Sequence, residues 1–144
     1  KITGRKKEMF KTSGGKYIIP TLIENELKES NFIEQVMVIG ENQKMPAALI
    51  QLNFEFIQEW IERKNYDINK DAESIITSSL VKERIQQEID TCNKRFGKWE
   101  QIKRFELTPD VWSIDGGHLT PTMKMKRSVI IKHYDALVQN IYAD

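Results

Sequence analysis

One cysteine, two histidines and four prolines are a thin supply across 144 residues. A lone Cys92 can form neither an internal disulfide nor a multi-cysteine metal site, which suits a reducing cytosol. Its helical spacing with Ile85 and Ile89 marks it as an expected core thiol. His118 and His133 are too far apart in sequence to suggest a metal pair, and both are expected at the surface or in loops. No stretch approaches the ~20 apolar residues that span a bilayer, and the basic start lacks the apolar segment of a secretory signal. There is no phosphate-binding P-loop, G-x-G-x-x-G, H-E-x-x-H or nucleophile elbow. Excess charge is missing too: 22 Lys and Arg against 21 Asp and Glu leave +1, which gives no general reason to invoke nucleic acid, a membrane surface or an acidic partner.

What is present is ordinary for a folded chain. Hydrophobic residues make up 40% and charged residues 30%, and the length suits one domain that buries roughly two-thirds of its unfolded surface. The distribution of charge says more than its sum. Lys1, Arg5, Lys6, Lys7, Lys11 and Lys16 crowd the start with only Glu8 against them, and Lys124, Lys126 and Arg127 cluster near the other end. Two such basic loops could converge on one anion. The chain opens at Lys1 directly in a motif-like stretch without an initiator Met, so a piece of a longer polypeptide is expected.

Local patterns predict an α+β fold: an N-terminal β-hairpin, then a small mixed sheet of about three strands packed with helices. Glu8 to Lys11 and Lys16 to Ile19 flank Thr12-Ser13-Gly14-Gly15, whose glycines permit the positive φ of a tight turn. Pro20 and Thr21 open a helix, with Thr21 and Glu24 at capping-box spacing and Ile23 and Leu27 on one face. Val36 to Ile39 and Ala47 to Leu52 are expected strands. Asn53 is placed to cap a helix carrying Phe56, Ile57, Trp60 and Ile61, and Ser78 or Ser79 one carrying Val81, Ile85, Ile89 and Cys92. Ile102 to Leu107 is a third strand, Val111 to Met123 a loop, and Ile130, Tyr134, Leu137, Val138 and Ile141 share a final helix.

Two end segments, Gly4-Arg5-Lys6-Lys7-Glu8-Met9-Phe10-Lys11-Thr12-Ser13-Gly14-Gly15-Lys16-Tyr17-Ile18-Ile19-Pro20 and Leu119-Thr120-Pro121-Thr122-Met123-Lys124-Met125-Lys126-Arg127, resemble the hinge motif and the terminal lysine motif of the adenylate-forming enzymes. Within that superfamily the likeness is closest to long-chain fatty-acid CoA ligases, and it covers essentially the whole chain. It implies a C-terminal lid, with residues 1–19 as hinge and hairpin and 20–144 as the remainder of the same domain. A large N-terminal ATP- and acyl-binding domain would be its partner. The implied reaction joins a fatty acid to ATP as an acyl-adenylate, with release of pyrophosphate, and then to coenzyme A with release of AMP, magnesium assisting in the full-length enzyme.

The resemblance also assigns roles. Lys124 matches the catalytic lysine, with Lys126 as its rival because Met123 stands where a glycine often precedes that lysine. A lysine ammonium between carboxylate and phosphate offsets their repulsion and stabilises charge in the transition state. Arg5 matches a nucleotide-contacting arginine, Lys7 the hinge, and Lys11, Gly14 and Gly15 the hairpin loop presented for thioester formation. No metal ligands are expected, and the isolated piece is expected to be inactive. The implied location is cytoplasmic, peripheral membrane association of the longer protein not being encoded in this stretch. A stand-alone anion- or RNA-binding module is the alternative, but no interleaved aromatics accompany the basic patches.

Overall fold

The longest apolar runs pair with each other and organise everything else. The computed structural model describes residues 9–110, 112–122 and 125–143. A hairpin of β1 (Phe10–Lys11) and β2 (Tyr17–Ile18) leads into α1 (Pro20–Leu27). Then come β3 (Ile33–Ile39) and β4 (Ala47–Leu52), followed by α2 (Phe54–Lys64), α3 (Ala72–Thr77) and α4 (Ser79–Asn93). A short 3-10 turn (Lys98–Glu100) precedes β5 (Arg104–Thr108), and α5 (Arg127–His133) and α6 (Asp135–Tyr142) complete the chain. The sheet order is β3-β4-β5, antiparallel between β3 and β4 and parallel between β4 and β5. A parallel neighbour needs a long crossover, and α2, α3 and α4 supply it.

All six residues of β4 are buried, because this central strand is covered on both faces. Ala48, Ile50 and Leu52 point with Val36 and Val38 into the larger core, beside Ile23 and Leu27 of α1, Ile57 and Ile61 of α2, and Ile85 and Ile89 of α4. Ala47 and Leu49 point with Met37 and Ile39 the other way, against Trp112, Ile130, Tyr134 and Ile141. The domain is therefore three layers, with α1 to α4 on one face of the sheet and α5 and α6 on the other. Asn53 caps α2 by accepting from Phe56 N at 3.1 Å, and Ser78 caps α4 by accepting from Val81 N at 3.3 Å. Cys92 lies in the core as its spacing suggested, and desolvation, helped by the nearby Glu26 charge, pushes its thiol up to about 11.

Three local expectations are revised. The first long strand starts at Ile33 rather than Val36, with an irregularity between Ile33 and Gln35 that lets polar Glu34 and Gln35 escape the core. The single C-terminal helix is two helices broken at Tyr134 (φ −106, ψ 30). The break aims α6 along β5, where Arg104 Nη1 donates to Ile141 O at 2.6 Å and Asn140 Nδ2 to Glu106 Oε2 at 2.9 Å. Thr21 and Glu24 do not form a capping box: the cap position is Ile19, which makes no side-chain capping bond, and Pro20 opens the helix. A proline there has no N–H to satisfy, and its fixed φ already suits the first turn.

Ile50→Ala, removing a fully buried side chain of the central strand, is expected to destabilise the domain by roughly 2–5 kcal/mol. A urea titration of the isolated domain measures the loss, and a midpoint equal to that of the unsubstituted domain would contradict the two-faced core.

Candidate functional site

Two loops carry the residues singled out in the sequence, and each is fixed at its base. In the first, Phe10 pairs with Ile18 and Lys11 with Tyr17. Thr12 N donates to Lys16 O at 3.1 Å and Gly15 N to Thr12 O at 2.9 Å, closing the tip. The tip rests on the turn between β3 and β4: Asn42 N donates to Lys11 O at 2.9 Å and Ser13 N to Gln43 O at 2.8 Å. Gly40 makes that seat possible. Its φ of +147 disfavours any side chain, and a Cβ would lie 3.0 Å from Met45 O and 3.2 Å from the Phe10 ring.

Above that anchor the hairpin is open. Lys11, Gly14, Gly15, Lys16 and Tyr17 are exposed, with the Lys11 ammonium 5.5 Å from the Tyr17 ring centroid and the Lys16 ammonium 5.4 Å from that of Trp99. The structure thus brings Lys11, Gly14 and Gly15 together. It also separates the two glycines in kind: Gly15 has φ +86 with nothing within 4 Å of an added Cβ, whereas Gly14 has no left-handed φ.

The second loop leads into α5. Ser113 O accepts from His118 N at 3.0 Å and Leu119 N at 3.2 Å, Lys126 N donates to His118 O at 2.8 Å, and Leu119 bridges antiparallel to Met125. Those pairings close the ends of the segment that contains Lys124 in sequence. Lys124 itself, with Arg5 and Lys7, lies outside the described residues. Lys126 is described: its side chain is exposed, and it holds the cap position of α5 without a side-chain capping bond.

Arg127 locks this loop to the body of the domain. Its guanidinium grips the Glu24 carboxylate with both nitrogens, Nη1 to Oε2 at 2.6 Å and Nη2 to Oε1 at 2.7 Å. Glu24 is only 3% exposed, and its Oε2 also accepts from Val38 N at 2.8 Å. The acidic residue that looked like a helix cap is thus the buried partner of the basic cluster near the other end of the chain. A signal was available, because Glu24 sits between Ile23 and Leu27 on the buried side of α1. The guanidinium also stands at the positive end of α5, where the Glu24 carboxylate offsets an otherwise unfavourable dipole interaction.

The hinge end of the hairpin and the end of the lysine motif border one open cavity of about 320 Å3, lined in part by Met9, Phe10, Val38, Gly40, Arg127 and Ser128. From the first basic cluster neither Lys11 nor Lys16 lines this cavity, Lys1, Arg5, Lys6 and Lys7 lie outside the described residues, and Arg127 has the Glu24 carboxylate already. The burial of a second polar residue was not foreseen. His118, expected at the surface or in a loop, is in a loop but buried at 7% exposure, its ring 5.5 Å from that of the exposed His133. Beside them Tyr134 donates its hydroxyl to Asp110 Oδ2 at 2.9 Å and accepts from Trp112 Nε1 at 3.2 Å. Desolvation, then the Asp110 hydrogen bond, pushes the Tyr134 hydroxyl up to about 12, so it remains a donor at neutral pH.

Among the described residues no group of three His, Cys, Asp or Glu side chains could hold a metal ion. No helix among them is long and apolar enough to cross a membrane.

A domain with a glycine-tipped hairpin at one corner and a clamped lysine loop beside it is the C-terminal module of the adenylate-forming fold, and comparison bears this out. The model of the AMP-binding enzyme C-terminal domain matches residues 8–144, and the chain belongs to that family. Its curated relatives include long-chain-fatty-acid–CoA ligase FadD15 of Mycobacterium tuberculosis, 31% identical over 98% of this chain and 24% of that protein. Long-chain-fatty-acid–CoA ligase 1 of Homo sapiens is 33% identical over 99% of the chain and 21% of its own length. The chain thus spans about a quarter or less of these relatives. Among solved structures, the adenylation domain of the carboxylate reductase from Mycobacterium chelonae superposes with a TM-score of 0.75 at 17% identity, over 94% of this chain and 19% of that one. A Mycobacterium tuberculosis fatty acyl CoA synthetase gives 0.56 at 19% identity, over 92% and 21%. At those identities the structures speak for the fold alone.

Glu24→Ala would leave the Arg127 guanidinium and the Val38 N–H without this carboxylate. The expected cost is roughly 2–4 kcal/mol, toward the low side of the range for breaking a buried pair because the Arg127 side chain is 20% exposed. Chemical denaturation of Glu24→Ala, Arg127→Ala and the double variant measures it. A double-variant loss equal to the sum of the single losses would show that the two residues do not act as a pair.

Proposed function

We propose that this chain is the lid domain of an ATP-dependent long-chain fatty acid–CoA ligase. The observation that carries the reading is one cavity bordered by the start of the hairpin and by Arg127 at the end of the lysine motif, in a chain about 31–33% identical to long-chain ligases along essentially all its length. In the first half-reaction a fatty-acid carboxylate oxygen attacks the α-phosphorus of ATP, and the bond to pyrophosphate breaks. Lys124 supplies positive charge where the two anionic groups meet, and Arg5 contacts the nucleotide. In the second, the coenzyme A sulfur attacks the acyl carbonyl and AMP leaves with its oxygen. The exposed hairpin of Lys11, Gly14 and Gly15 serves that step, since glycine lets backbone approach the thiol-bearing arm closely.

Lys7 lies at the hinge between the two orientations of the lid. ATP, fatty acid, coenzyme A and magnesium are met in the full-length enzyme, chiefly on the N-terminal adenylation domain of the same polypeptide. The lone Cys92, which allows no internal disulfide in this chain, is in keeping with the cytoplasmic location we propose for the full-length enzyme.

Separating the half-reactions tests the assignment. In the full-length enzyme Lys124→Ala is expected to slow acyl-adenylate formation by ~100-fold or more and to leave thioester formation from supplied acyl-adenylate largely intact. Lys126→Ala is expected to change neither greatly. Equal losses in both halves for Lys124→Ala, or a larger adenylation defect for Lys126→Ala, would overturn the choice of lysine. A third substitution addresses the hairpin. Gly15→Val forces a branched side chain onto a left-handed φ and should reduce the thioester step more than adenylation in the same pair of assays; an unchanged thioester rate would remove the hairpin from that role. The isolated 144-residue domain should make no acyl-CoA, because the ATP and acid sites belong to its partner domain.

A further inference from the structure

The loop that carries Lys124 is seated through a buried imidazole. Gln51 of the central strand, 3% exposed, accepts from Trp112 N at 2.8 Å. The next residue, Ser113, donates its N–H to His118 Nδ1 at 3.2 Å and accepts from His118 N and Leu119 N with its carbonyl. Ser113 Oγ accepts from Gly116 N at 2.8 Å, so the turn 113–118 is bonded across its width. His118 O then accepts from Lys126 N at 2.8 Å, immediately beside the bridge between Leu119 and Met125. A continuous series of bonds runs from β4 through His118 to both ends of the lysine loop.

The imidazole is held here at a cost. Its plane lies 19° from Trp112 and 16° from Tyr134, with His133 edge-on at 87°. Because Nδ1 accepts from Ser113, the neutral ring carries its proton on Nε2, and that nitrogen is buried with no hydrogen-bond partner among the described residues. A leucine or phenylalanine would fill an aromatic slot without stranding an N–H. What the imidazole supplies and they do not is an acceptor for the Ser113 N–H.

We infer that His118 is a positioning residue for acyl-adenylate formation: through Nδ1 it fixes the turn 113–118, and through its carbonyl the closing strand of the lysine loop. The inference rests on the reading of Lys124 as the lysine of that half-reaction. A loop displaced by an ångström carries its ammonium out of register with the developing charge, and such misplacement costs one to two orders of magnitude in rate.

Gly116 offers an independent handle. A Cβ there would lie 2.8 Å from His118 Cε1 and 2.9 Å from both His118 Nδ1 and Ser113 Oγ, while the Gly116 backbone does not have the left-handed φ that would itself be strained by alanine. Gly116→Ala therefore pushes the ring away from its bond without altering the imidazole.

The experiment measures both half-reactions in the full-length enzyme for His118→Leu, His118→Asn, Gly116→Ala and, as reference, Lys124→Ala. His118→Leu is expected to lower kcat for acyl-adenylate formation by ~10-fold, with KM for ATP within about twofold and thioester formation from supplied acyl-adenylate unchanged. Gly116→Ala should reproduce that split. His118→Asn, whose Oδ1 can accept the same N–H, should recover most of the rate. Should His118→Leu fail to fold, the contrast between a slow Gly116→Ala and a near-normal His118→Asn decides the matter. Wild-type adenylation in Gly116→Ala and His118→Leu, equal loss in both half-reactions, or no recovery in His118→Asn would each overturn the inference. If Lys124→Ala slows adenylation while the His118 and Gly116 variants do not, only this inference fails. If Lys124→Ala is also without effect, the lid-lysine assignment fails with it.

Discussion

The buried pairing of Arg127 with Glu24 joins residues 103 positions apart in sequence and takes part in three elements at once. Glu24 comes from α1, the guanidinium from the first residue of α5, and the Val38 N–H that shares the carboxylate from β3. As a contribution to net stability such a pair is modest, since removing two charges from water offsets much of their attraction. Its consequence is geometric. A planar fork gripping both carboxylate oxygens tolerates little rotation, so the start of α5 has one position relative to the sheet. The lysine loop ends where that helix begins.

The two-faced sheet makes the pairing necessary. Alpha helices cover both sides of β4, and the chain returns from the larger core to the smaller one through β5 and the loop that follows. Apolar packing of Ile130, Tyr134 and Ile141 against Met37 and Leu49 brings α5 and α6 to the sheet, but such packing is non-directional and leaves helix register loosely determined. Directional bonds at the edges of this interface fix it: Arg127 to Glu24 at one end of the helix pair, Tyr134 to Asp110 and Trp112 in the middle, Arg104 to the carbonyl of Ile141 at the other. Polar groups supply the orientation, and the apolar faces the attraction.

Periodicity is a local property, and the parts of this molecule that follow from local patterns were legible in it. The buried faces of α2 and α4, their Asn53 and Ser78 caps, the two long strands and the glycine-tipped hairpin could all be read from spacing and turn chemistry. The partners of Glu24 and His118 could not, for the same reason in both cases, although the place of Glu24 on the apolar side of α1 hinted at its burial. Each is polar, and each is buried to serve a partner that the chain reaches elsewhere: Arg127 and Val38 for the carboxylate, the Ser113 N–H for the imidazole. At Thr21 and Glu24 the local capping spacing competed with that distant partner, and the partner won. The break at Tyr134 escaped the pattern because its residue stays in phase with the helical stripe while the backbone bends to bring α6 along β5. The roles proposed for Arg5, Lys7 and Lys124 rest on family resemblance alone, since a basic residue in a polar stretch of sequence has no local signature of catalysis.

Both loops of the proposed lid draw their anchorage from one small unit. The hairpin sits on the turn between β3 and β4 through Lys11, Ser13, Asn42 and Gln43, with Gly40 providing the room. The lysine loop is tied to the same two strands through Val38 by way of Glu24 and through Gln51 by way of Trp112 and Ser113. Neither anchor uses a contact between the two loops. The lid we propose could present one loop or the other by turning as a body about its hinge, and none of the anchoring bonds just named would have to break in passing from one half-reaction to the next. The requirement placed on the fold is then stiffness in β3 and β4, and the six consecutive buried residues of β4, paired on both edges and packed on both faces, are where that stiffness resides.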